Sequence, residues 1–277
     1  MPHLLPELQA VGLMIDRNTG IATLITIPLS HYCEKVRWAL DRVALPYREE
    51  PHAPLLHRLA TNRNDGGTVP VLVHGNTRFL DSTDILVHAD EIFGGDELYP
   101  RDIALRHDVA ALEERFDTEL GPDTRRWAYS QLLPHTRLLT SLWSRGVPRV
   151  EALLVRPIAP VARRLVRAVY KITPESAQRS LDRVRGVFRH VEEQLGDGRR
   201  FLTGDRFTAA DLTFAALAAP VLLPRECRAV QPALDDLSPA MREEALRLRN
   251  TVGGQFALRL FSQERDSLSA TPDSRVP

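Results

Sequence analysis

The sequence predicts a small α/β domain followed by an all-helical one. Three observations carry this. Up to about residue 95, short strand-like runs interleave with helical periodicity; beyond Pro100 the strand pattern stops; and 277 residues are comfortable for two domains.

The first element is an alternating apolar run, Ala22 to Ile27, which reads as a half-buried strand ended by Pro28. Beyond Ser30, the residues Val36, Leu40, Val43 and Ala44 fall on one helical face. Ser30 therefore stands where strand hands over to helix, at or beside the N-cap. Backbone N–H groups there lack intrahelical partners, and the helix dipole favours negative charge. A hydroxyl at such a point can be a plain cap or can face an anion held by the same helix end; these residues alone leave both open.

Tyr47 to Glu50 reads as a short extended segment, and His52 to Asn64 as a short helix or loop. After the turn Asp65-Gly66-Gly67, two apolar runs flank Gly75-Asn76 and predict a β-hairpin. Asp81-Ser82 opens a helix whose apolar positions, Ile85, Leu86, Ala89, Ile92 and Phe93, continue until Gly94-Gly95. Helices are then expected over 103–120, 123–143, 148–170, 174–195, 208–223 and 239–261. Thr208 and Asp211 have capping-box spacing, with Phe207 placed to staple onto Leu212. The body of that helix is almost wholly apolar, which places it at the centre of a bundle.

Division of the chain follows: an extension over 1–20, an α/β domain over 21–95, a linker over 96–101, a helical domain over 102–265 and a disordered tail over 266–277. Met14 offers an alternative start. Acidic and basic residues balance at 36 each, which gives no electrostatic case for nucleic acid. Only Lys35 and Lys171 are lysines. Cys33 and Cys227 match no zinc spacing, so no metal is expected and a reduced, cytoplasmic setting fits. No apolar run reaches the roughly 18 residues of a membrane span.

Four motifs, taken in order, give the chain a resemblance to the glutathione S-transferases. Ser30-His31-Tyr32-Cys33 followed by Lys35-Val36-Arg37 resembles the start of that family's first helix. Val69-Pro70 resembles its Val-Pro pair, Asp81-Ser82 its Glu-Ser or Gln-Ser pair, and Thr208-x-x-Asp211 its helical-domain capping box. The resemblance covers about residues 22–262. It implies an α/β thioredoxin-like domain, a helical bundle domain, a cis bond at Pro70, glutathione as cosubstrate and a homodimer.

It also implies roles. Ser30 would be the activating residue, Val69 and Pro70 would pair with the backbone of glutathione like an added strand, and Asp81 and Ser82 would hold the γ-glutamyl end. Lowering a thiol by two units from about 8.5 requires roughly 2.7 kcal/mol. A helix N-terminus supplies about 0.3–1 kcal/mol, and a hydrogen bond to a thiolate roughly 1.5–3. Together they suffice. Asp81 is one methylene shorter than the family's Glu. His31 replaces the usual proline and reads either as a titratable neighbour of the thiol or as an exposed side chain; Tyr32 reads as packing. Phe116, Trp127 and Tyr129 read as core, with an apolar second-substrate pocket as the other option.

The expected activity is conjugation of glutathione to a small, mostly apolar electrophile. A non-catalytic glutathione- or ligand-binding member is the alternative, and thiol exchange through Cys33 a weaker third reading. One segment departs from the family pattern. Residues 145–171 carry seven basic side chains between apolar ones, against the single acid Glu151. Pro157 and Pro160 are expected to break any single helix there, which favours a solvated flank over a membrane-binding amphipathic segment.

Overall fold

The computed structural model describes residues 20–61 and 67–265. The predicted extension, the alternative start at Met14 and the predicted tail lie outside the described residues, apart from Gly20.

Four strands form one mixed sheet in the order β2-β1-β3-β4. The strands are β1 (Ala22–Thr26), β2 (Tyr47–Pro51), β3 (Val71–His74) and β4 (Thr77–Phe79). β2 runs parallel to β1, while β3 is antiparallel to both β1 and β4. Helix α1 (His31–Arg42) makes the crossover between the parallel pair, as a parallel connection requires. A short α2 (His57–Ala60) follows β2, and Gly75 at φ +58° turns the β3–β4 hairpin. Helix α3 (Ser82–Ile92) ends before Gly94 and Gly95, both at positive φ.

Helices then fill the rest of the described chain: α4 (Ile103–Arg115), a π-turn (Phe116–Leu120), α5 (Gly121–Leu132), α6 (Thr136–Ser144), α7 (Arg149–Val169), α8 (Pro174–Leu195), α9 (Ala209–Leu222), α10 (Pro239–Arg249) and α11 (Val252–Leu260). The fold is an α/β sheet unit followed by a helical bundle, as expected. Helix α9 lies at its centre, with every residue but Pro220 buried. The Asp211 carboxylate accepts from the Thr208 N–H and hydroxyl and from the Leu202 N–H at 2.8–3.0 Å. Phe207 stacks on Trp38 of α1 at 5.8 Å, which joins the helical core to the sheet unit.

Three helix boundaries differ from the sequence reading. Gly121-Pro122 does not separate two helices: the π-turn runs straight into α5 through Pro122. The break falls instead at 133–135, where Pro134 cannot continue the ladder. The segment 239–261 divides at Asn250 and Thr251. Thr251 caps α11 by accepting from the Gly254 N–H at 3.0 Å, and a Cβ on Gly254 would collide with the Leu248 carbonyl. Finally, α7 is one helix through Pro157 and Pro160. Both prolines lie on its exposed side, so the carbonyls of Leu153 and Arg156 that lose a partner can face water.

Candidate functional site

One end of the sheet collects the predicted residues, and strand direction is the reason. β1 and β2 end there, β3 begins there and β4 ends there. Ile25 pairs with Val71 and Leu72 with Phe79. Pro70, one residue before β3, therefore lies beside the exit of β1 toward Ser30 and across from Asp81. The Val69–Pro70 bond is cis. Ser30, Val69, Pro70, Asp81 and Ser82 thus share one sheet end although they are spread over 53 positions of the sequence.

Ser30 is the N-cap of α1. Its Oγ accepts from the Cys33 N–H at 3.3 Å, and the side chain is partly exposed. The cap reading is thereby met, and the hydroxyl keeps its own proton for donation. Cys33 is buried, and burial raises its thiol above the ordinary value against opposing contributions from Arg37 and Ser30. Such a thiol is a poor nucleophile.

His31 is neither exposed nor poised to titrate near neutrality. It is 5% exposed, and its Nε2 donates to the Gly121 carbonyl at 3.0 Å. Burial, with Arg125 nearby, pushes its pKa down to about 3 despite that bond. Beside it the Tyr32 hydroxyl donates to the Asp117 carbonyl at 2.7 Å. Gly121 is needed for this approach, because a Cβ there would collide with the Tyr32 hydroxyl. The π-turn and the first residue of α5 thus bring backbone acceptors to both side chains that follow Ser30.

At α3 the cap is Asp81, whose Oδ1 accepts from the Thr83 N–H at 2.8 Å. Ser82 is the first helical residue and is buried. Its Oγ accepts from Lys35 Nζ at 3.4 Å. Sequence reading missed this partner. Lys35 is fully buried, pairs with Glu113 at 2.8 Å and with Asp117, and also donates to the Thr83 hydroxyl. Thr83 in turn donates to Glu113 at 3.0 Å, and Tyr99 closes the cluster on Glu113. Burial would lower the Lys35 ammonium, but the two carboxylates outweigh it and its pKa is raised, so it stays charged. The signals in the sequence were that Lys35 is one of two lysines in an arginine-rich chain and that it stands in the Lys35-Val36-Arg37 run.

Two elements wall this end. Gly146, before α7, packs toward the Pro28 ring. Glu151 of α7 accepts from the Ala53 N–H at 2.7 Å and lies 2.6 Å from His52 Nδ1, just past β2. Phe116 and Trp127 are buried in the core; Tyr129 is partly buried and stacks on Tyr170 at 5.7 Å. Surface hollows near Arg225 and Arg249, and near Arg185 and Arg247, involve none of the sheet-end residues. Topology and chemistry, not concavity, single out the sheet end.

A mixed sheet with a cis-proline end, joined to a helical bundle, is the two-domain architecture of the glutathione transferases. The glutathione S-transferase N-terminal-domain model matches residues 24–97 and the C-terminal-domain model residues 174–242, together about half of the chain. The chain belongs to the glutathione S-transferase family. Neither match includes residues 98–173. Solved structures share the fold at low identity. Poplar glutathione transferase F1 is 16% identical with a TM-score of 0.53, covering 88% of this chain and 99% of its own. Gtt2 from Saccharomyces cerevisiae is 18% identical at 0.52, covering 85% and 100%. A glutathione S-transferase-I bound with lactoylglutathione is 16% identical at 0.53, covering 87% and 100%. No curated protein matches the chain by sequence.

Proposed function

We propose that this chain is a glutathione transferase of serine type. It ionises the thiol of glutathione at Ser30 and directs the thiolate at a small, mostly apolar electrophile. The observation that carries this reading is the gathering of Ser30, Val69, Pro70, Asp81 and Ser82 at one sheet end, flanked by the starts of two helices.

In this reading the Ser30 hydroxyl, already accepting from the Cys33 N–H, donates its proton to the sulfur. The α1 terminus adds a favourable field. The backbone of Val69, at the entry of β3, pairs with the peptide as one more strand. Ser82 receives the γ-glutamyl carboxylate with its N–H and hydroxyl, while Lys35 beneath holds that hydroxyl in place. The Asp81 oxygen not engaged by Thr83 accepts from the ammonium. A glutathione-binding unit over 21–95, a helical unit over 102–265, a homodimer and a cytoplasmic location complete the reading.

That Asp81 is already committed to capping α3 favours one second reading: a member that binds glutathione weakly without turning it over. Retention on glutathione resin together with turnover of a chlorinated nitrobenzene, the turnover falling roughly tenfold to a hundredfold in Ser30→Ala, supports catalysis. Retention without turnover across a broad electrophile panel favours the second reading.

A further inference from the structure

Helix α7, which lies outside both family matches, carries an outward face with a property of its own. Helix α7 packs on the body through a narrow strip of small residues, Val155, Ala159, Ala162 and Val166, at helical spacing. On the opposite side Val150, Leu153, Leu154, Val161 and Leu165 share one helical face and are all exposed, Leu153 by 78% and Val150 by 71%. Single exposed apolar residues need no explanation, but a ridge of them along about four turns does.

Charge is distributed just as unevenly. Residues 131–170 hold seven arginines and one acid in a chain whose formal net charge is zero. Arg149, Arg156 and Arg167 line one flank of the ridge, and Arg164 rises within it; all four are exposed. The one acid, Glu151, is turned to the body, held by His52 and the Ala53 N–H.

We infer that the outward face of α7 docks this protein on an anionic lipid bilayer surface. A bilayer surface offers what each half of the face requires: acyl-chain boundary for the ridge and anionic headgroups for the arginines. A second copy placed on the same face by a two-fold axis would set the arginine rows against each other. Nucleic acid would use the arginines and leave the ridge in water. The prolines fix the depth. The Leu153 and Arg156 carbonyls lack helical partners and need water or headgroup donors, which keeps the helix in the plane of the interface. Because α7 also grips the end of β2 through Glu151, docking would hold the sheet end close to the bilayer.

The test is flotation of the full chain with vesicles of phosphatidylcholine mixed with phosphatidylglycerol, and with phosphatidylcholine alone. The protein is expected to float with the anionic vesicles at low salt and not with the neutral ones. The triple variant Arg156→Gln, Arg164→Gln, Arg167→Gln is expected to weaken partitioning on the order of a hundredfold. The double variant Leu153→Gln, Leu165→Gln is expected to lose the binding that persists as salt is raised. All five positions are exposed, so thermal unfolding should not move. Absence of flotation with anionic vesicles overturns the inference, as does flotation that both variants retain. A concentration-dependent doubling of mass, removed by the double variant without any lipid binding, assigns the face to a second copy and overturns it equally.

Discussion

At the start of α1 a neutral hydroxyl, Ser30, closes the helix over the Cys33 N–H, and among the described residues no charged side chain bonds to it. At the start of α3 a carboxylate, Asp81, closes the helix over the Thr83 N–H, and a buried ammonium stands beneath the next residue. Both helices begin at the same sheet end and have favourable dipoles. A hydroxyl alone suits a soft, easily ionised sulfur, which needs one donor and little else. A hydroxyl backed by lysine suits a carboxylate that arrives already charged. In the proposed function the two starts would divide the ligand: chemistry at α1, grip at α3.

The largest test of that division is Lys35→Met. It leaves Glu113 and Asp117 without their cation in the interior and is expected to cost about 3–5 kcal/mol of stability, read by urea denaturation. An unchanged midpoint would mean that the cluster does not support the α3 start.

Next in size is the pH behaviour of His31, one residue inside the α1 cap. An unfolded imidazole titrates at about 6.5, whereas His31 is held near 3 by burial and Arg125. Its contribution to stability is therefore whole above about pH 6.5 and is lost as pH falls toward 3. About 2 kcal/mol should be gone near pH 5, and His31→Gln should remove that part of the slope. The same variant should leave the activity profile between about pH 6 and 8 unmoved, since His31 stays neutral throughout that range.

The smallest effect separates grip from chemistry. Ser82→Ala is expected to raise the KM for glutathione about tenfold with kcat nearly unchanged. An equal fall in kcat would mean that α3 takes part in the chemical step.

Much of this was legible because it is local. The alternation of Ala22 to Ile27, the Gly75-Asn76 turn, the Asp81-Ser82 helix start and the Thr208–Asp211 spacing each act within a few residues, and each is in place in the fold. What was hidden depends on contacts across the chain. Lys35 meets Glu113 and Asp117 some eighty positions away, and His31 is buried by Gly121, ninety positions on. Local rules also misjudged proline. Pro134 ends a helix where two were expected to be one, while Pro157 and Pro160 stand within an intact α7 on its water-facing side. Helices α7 and α9 are both rich in apolar residues and both contain proline. One is enclosed on every side and the other is covered along a single strip, and the periodicity of apolar residues does not say how many neighbours will arrive.

The claim that most needs testing is that the Ser30 hydroxyl meets the sulfur. Ultraviolet titration of the thiol of glutathione bound to the protein reads this directly. The account predicts a thiol pKa about two units below the free value of about 8.5, returning by about 1–2 units in Ser30→Ala. A bound thiol whose titration is the same in both proteins would contradict it and leave Ser30 as a helix cap alone.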